Sequence, residues 1–126
     1  MRKFLILGFL FGLLGVANGA FGAHVLKQKL SPDMFEIFEV AVRYEMYHAL
    51  ALLAVAWMLH TWNVRETAIA GWLFTVGIFL FSGSLFALSL TGARWFGAIA
   101  PLGGLCFLSG WGLLVWISWK IIPKSS

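Results

Sequence analysis

Apolar residues run almost without interruption over four stretches of the chain, about 4–26, 40–60, 68–90 and 98–122, and the polar residues gather between them. Each run has about the 20 residues that a helix needs to cross a hydrocarbon core roughly 30 Å thick. Inside lipid the backbone must satisfy its own hydrogen bonds, which leaves helices or closed barrels, and these runs are too long for barrel strands. The pattern therefore predicts an all-α, polytopic membrane protein: an antiparallel bundle of four transmembrane helices forming one domain over residues 1–126. The joins "TWNVRET" and "TGARWFG" are short, which is what sets neighbouring helices antiparallel.

The polar positions refine the boundaries. Ser31 has the chemistry of an N-cap, Pro32 suits the first helical position, and the acids just after it lie where a helix dipole favours them. The second helix is thus expected to start near Pro32 and, if unbroken to His60, to measure about 43 Å, longer than the hydrocarbon core. Its first turns, with the preceding residues, are expected to form an interfacial segment over about 27–39. Trp62, Trp72, Trp95, Trp116 and Trp119 fall near helix ends, where an amphipathic ring prefers the interface.

Composition agrees. Hydrophobic residues make up 61% of the chain and charged ones 11%, against about 25% charged in an ordinary soluble domain. So small a soluble domain has no interior large enough for this much apolar surface. The net charge of +4 is scattered in ones and twos at the ends of apolar runs, so it reads as membrane topology and gives no sign of a nucleic-acid partner. With an even number of spans, Arg2, Lys3, Arg65, Lys120 and Lys124 share one side and Lys27, Lys29 and Arg94 the other, which favours cytoplasmic termini. The opening "MRK", apolar run and "ANGA" also have the outline of a secretory signal, but the run exceeds the roughly 7–15 residues of a signal core and reads as a first span. Cys106, the single cysteine, lies among Leu105, Phe107 and Leu108 and reads as packing.

Candidate chemistry is sparse. Gly8, Gly12, Gly15, Gly19 and Gly22 fall on one stripe of the first helix, a helix-packing face that lets another helix approach closely. His24 falls opposite that stripe if the helix stays straight, as an interfacial histidine or as a proton-handling or ligand-binding imidazole. On the second helix Tyr44, Glu45 and His48 are three and four residues apart and share a surface. They form either a structural hydrogen-bond network or a small proton relay in which Glu45 sets the tautomer of His48. His24, Tyr44, Glu45 and His48 together make the candidate polar site. Haem ligation by His24 and His48 fits poorly, because the two lie at different heights, and no cofactor is expected. On the third helix Gly71, Thr75, Ser82 and Ser89 form a stripe whose hydroxyls are expected to bond backward to carbonyls or across a helix interface.

The segments "GAFGAHVLK", "YEMYHALALLAV", "FSGSLFALSLTG" and "APLGGLCFLSGW" resemble, in order and spacing, the domain-of-unknown-function 423 family, also called UPF 0382, over nearly the whole chain. That resemblance implies a small multi-pass protein of the bacterial cytoplasmic membrane and carries no reaction, ligand or cofactor with it. The lipid bilayer is the one partner the chain demands. The reading placed first is a structural or accessory membrane component that forms a homo-oligomer or joins a larger complex through its glycine faces. The alternative is a small oligomeric transporter or proton-coupled channel using the Tyr/Glu/His cluster. No nucleophile triad, metal cluster or phosphate loop appears, which argues against an enzyme.

Overall fold

Local chemistry sets where each helix starts and stops. The computed structural model describes residues 1–124 and consists of four long helices: α1 (Arg2–Lys29), α2 (Pro32–Trp62), α3 (Arg65–Thr91) and α4 (Arg94–Lys120), with no strand among the described residues. The chain is all-helical, as expected. Ser31 caps α2: its hydroxyl accepts from the backbone N–H of Met34 at 3.3 Å, Pro32 takes the first position and Asp33 stands in the first turn. Only Leu30 and Ser31 separate α1 from α2, so residues 27–39 comprise the last turn of α1 and the first turns of α2. Asn63, at φ 50, ends α2, and Gly92, at φ 73, ends α3 in a left-handed conformation that favours glycine.

Three of the four helices, α1, α3 and α4, are long and apolar enough to cross a membrane. At 31 residues α2 is long enough, but Arg43, Glu45 and His48 dilute its apolar run and it does not join that set. The structure shows why so polar a helix is tolerated. Packed between α1 and α3, α2 buries Glu45 and His48 along with its apolar Ala41, Leu52 and Val55. The other three helices turn large apolar side chains outward, among them Leu13, Phe79, Leu108 and Val115. Glu45 and His48 are thus carried on the parts of α2 that protein covers, while its exposed positions include Leu50 and Trp57 as well as Arg43.

Glycines set the closest approaches. Along α1, Gly8 meets Leu53 and the Ala49 carbonyl, Gly15 meets Met46 and Gly22 meets Phe38, all on α2. These three are spaced by sevens, which keeps them on one face with a drift of only about 20° per step. Gly19 makes an ordinary contact with Val42, and Gly12 has open space beside it. On α3 and α4, Gly77 admits the Phe107 ring, Gly110 admits Phe74, and Gly103 lies against the backbone of Phe81.

Both α1 and α3 contain a wider, π-helical turn, at Gly22–Leu26 and Ile78–Gly83. The turn in α3 lies where that helix meets both α2 and α4. It presents Ser82 to α2, where the hydroxyl donates to the Ala41 carbonyl at 2.8 Å, and Phe81 to Gly103 on α4. Elsewhere the hydroxyls bond backward as expected: Thr75 to the Gly71 carbonyl and Ser89 to that of Phe86, each at 2.9 Å.

Candidate functional site

The polar residues of α2 divide between two settings. His48 is only 4% exposed and stacks face to face on Phe107 of α4, with ring centroids 3.5 Å apart and planes 8° from parallel. Phe74 of α3 and Trp111 of α4 complete the enclosure at 5.4 and 5.8 Å, and those two rings are themselves 5.0 Å apart. Both ring nitrogens are occupied. Nδ1 lies 2.7 Å from the Tyr44 carbonyl oxygen, which can only accept, and Nε2 lies 3.0 Å from Trp111 Nε1, which can only donate. The pair of bonds fixes His48 as a neutral imidazole carrying its proton on Nδ1. No lone pair remains for a metal or a proton unless the Trp111 bond breaks. The imidazole therefore joins α2 to α4 within an aromatic box.

Glu45 lies on another side of the helix. Its residue surface is 3% exposed, and its carboxyl lines a crevice of about 210 Å³ between α1 and α3. Phe11, Leu14 and Asn18 come from α1, and Ile78, Phe79, Ser82, Gly83 and Phe86 from α3. Asn18 is the polar side chain facing the carboxyl. The Ser82 hydroxyl is already committed to the Ala41 carbonyl. Gly15 packs against Met46 beside the carboxyl, and a Cβ there would stand in ordinary contact with Glu45 Oε2 at 3.7 Å. Among the described residues Glu45 is the one ionisable group lining the crevice, with no lysine, arginine or histidine beside it there. A carboxyl so placed can hold a proton, accept hydrogen bonds or pair with a cation.

The four candidate residues are thus not gathered into one site. His24, in the π-helical turn of α1, is exposed; Tyr44 is partly exposed, with its ring tilted against Phe81 at 4.7 Å. The Tyr44 backbone carbonyl and the Trp111 indole, and not Glu45, set the His48 tautomer. Three neighbours were not marked by the sequence pattern: Trp111 and Phe107 beside His48, and Asn18 beside Glu45. Trp111 carried a usable signal, because an indole N–H far from either end of an apolar helix must find an acceptor within the protein. No group of three or more metal-ligating side chains occurs among the described residues.

Comparison with known proteins adds a family and no activity. The family described as "Protein of unknown function (DUF423)" matches residues 18–104. The UPF0382 membrane protein SH2409 of Staphylococcus haemolyticus is 43% identical over 122 residues, covering 97% of this chain and 99% of the relative. SSP2132 of Staphylococcus saprophyticus, of the same description, is 46% identical over 121 residues, covering 96% and 100%. YwdK of Bacillus subtilis is 44% identical over 116 residues, covering 91% and 94%. No solved structure matches the chain.

Proposed function

The chain belongs to the DUF423 family of UPF0382 membrane proteins, and from that premise we propose that it is a small accessory component of the bacterial cytoplasmic membrane that binds its client inside the bilayer, at the Glu45 crevice. The observation that carries this reading is a carboxyl buried at mid-helix and facing an apolar crevice with no cation beside it. Ionisable groups at such depth are costly and are retained where they act on something.

In this reading α2 crosses with the other three helices, making an antiparallel four-helix bundle with cytoplasmic termini. Support comes from the contacts of Gly8, Gly15 and Gly22, whose partners on α2 run in reverse order from Leu53 to Phe38. Further support comes from the two-residue connections between helices and from the bias of Lys and Arg toward the side of the termini. Assembly through glycine faces draws less support than ligand binding, because Gly8, Gly15, Gly22, Gly77, Gly103 and Gly110 are all occupied by side chains or backbone of the same chain.

The test is extraction of the protein from native membranes into polymer discs, with mass spectrometry of the small molecules carried along. A compound retained by the parent protein and lost in a folded Glu45→Gln variant is the expected result. Identical small-molecule profiles from the two proteins would remove the reading. Orientation is checked by labelling Ser31→Cys in a Cys106→Ala background with a membrane-impermeant thiol reagent, which should react from the outer side only.

A further inference from the structure

We propose that the α1–α3 crevice takes a small lipophilic cation, an amine or quaternary ammonium bearing a single ring or a short chain, with its positive charge against the Glu45 carboxylate. This rests on the reading of the crevice as the working site and adds to it the chemical class of the occupant.

Charge is the first selector. A carboxyl in an apolar setting either takes up a proton or is held ionised by a compensating positive charge. The chain's own cations do not supply it. Arg2, Lys3, Lys27, Lys29, Arg65, Arg94 and Lys120 lie in the end turns of their helices, Lys124 is exposed beyond the end of α4, and Arg43, the nearest in sequence, is exposed and lines a different hollow with Glu39. Asn18 faces the carboxyl and carries no charge to neutralise it. With no basic side chain among its lining residues, the crevice has nothing to hold an anion. A single carboxylate is also too few ligands to hold a metal ion.

The walls are the second selector. Phe11, Phe79 and Phe86 supply aromatic surface, and Leu14 and Ile78 aliphatic surface, around the one acid. Aromatic faces attract organic cations, most strongly where water is excluded. Phe11 and Phe79 meet edge to face across the crevice with centroids 5.6 Å apart, joining its two walls. Leu14 and Phe79 are also exposed on the surface of the molecule, so an occupant that dissolves in lipid has a lateral way in. Size is the third selector: about 210 Å³ lies below the roughly 300–1,000 Å³ of drug-sized sites, which restricts the ligand to one ring or a short chain.

The experiment uses full-length protein in lipid nanodiscs, carrying Leu14→Cys at the rim and Cys106→Ala elsewhere, and monitors alkylation of the introduced thiol by a membrane-soluble maleimide. Benzyltrimethylammonium is compared with neopentylbenzene, its uncharged carbon isostere, with both expressed per mole of lipid. The cation is expected to protect the thiol at a concentration about tenfold lower than the isostere, a discrimination that a desolvated charge contact supplies readily. Adding Glu45→Gln should erase that advantage while leaving the unprotected alkylation rate and the helical content unchanged. Equal protection by the two compounds overturns the cation assignment and leaves the crevice reading standing. Absence of protection by either overturns both. Should Glu45→Gln fail to fold, the comparison of cation with isostere on the parent protein still decides the assignment.

Discussion

His48 and Glu45 stand three residues apart on α2 and are buried to nearly the same degree, yet their surroundings differ in kind. Around His48 the protein is finished: a ring stacked on one face, two more rings beside it, and a partner for each nitrogen. Around Glu45 there is an amide, a crevice and no counter-charge. Both residues break the apolar pattern of a membrane protein, and only one of them is resolved by the rest of the chain. A polar group in lipid whose partners are all supplied is structural, however unusual it looks in the sequence. One whose charge is left unmatched is where an external group belongs.

If the aromatic box is a completed core, it should be sensitive to small insults. The largest effect is expected from Gly103→Ala, because a Cβ at that position would approach Phe81 Cβ to 2.7 Å and Phe81 Cα to 2.8 Å, and backbone yields poorly. We expect a loss of about 3 kcal/mol, at the upper end for overpacking, read by unfolding in mixed micelles. Gly104→Ala, one residue on, meets nothing within 4 Å and should be neutral or stabilising by up to about 1 kcal/mol. A similar loss from both would show that helix propensity, and not the contact of α3 with α4, governs this region. Next comes His48→Ala, which removes the ring stacked on Phe107 and strands the Trp111 N–H. About 3 kcal/mol is expected, by analogy with aromatic truncations in other cores, and the same unfolding measurement checks it.

The helical architecture was legible in the sequence because it obeys local rules. Ser31 and Pro32 mark the start of α2, and long apolar runs between short joins mark the other three helices. The backward hydroxyl bonds of Thr75 and Ser89 obey the same rules. The pairing of side chains between helices was not legible, for a physical reason. Projection at 100° per residue assumes uniform winding, whereas π-helical turns at Gly22–Leu26 and Ile78–Gly83 add residues to a turn and rotate the rest of the helix relative to its start. His24 lies inside one such turn and Ser82 inside the other. On α2, which winds regularly, the spacing of Tyr44, Glu45 and His48 places them within one turn of each other. It could not tell that the Glu45 carboxyl would meet α1 and α3 while the His48 ring met α4. Asn18, which precedes His24 on α1 and faces the buried acid, carries no such local mark.

A smaller perturbation separates the hydrogen bond from the packing. Trp111→Phe keeps a ring beside Phe74 but leaves His48 Nε2 without its donor. Because side-chain hydrogen bonds between membrane helices average about 0.6 kcal/mol, the expected loss is about 1 kcal/mol, well short of that for His48→Ala. In the same variant the imidazole 15N chemical shifts should show Nε2 no longer acting as an acceptor from the indole. A loss as large as that of His48→Ala would mean that the Trp111 bond, and not the stacked ring, holds the box together.

The smallest effect on stability is expected at a residue as buried as His48. Glu45→Gln keeps the shape of the side chain and its polar contact with Asn18 while removing a charge that no lining residue balances. For a group that stabilised the fold, a side chain 3% exposed at the centre of three helices would cost several kcal/mol to alter. For a group held in place to meet something else, neutralising it relieves a desolvation penalty, and unfolding should change by less than about 1 kcal/mol or shift toward greater stability. The same micelle titration decides between these outcomes. A loss matching that of His48→Ala would place Glu45 with the box, as one more element of the core. Unchanged or increased stability would set the two faces of α2 apart in function, since a carboxyl that the fold does not need is retained for the group that enters the crevice.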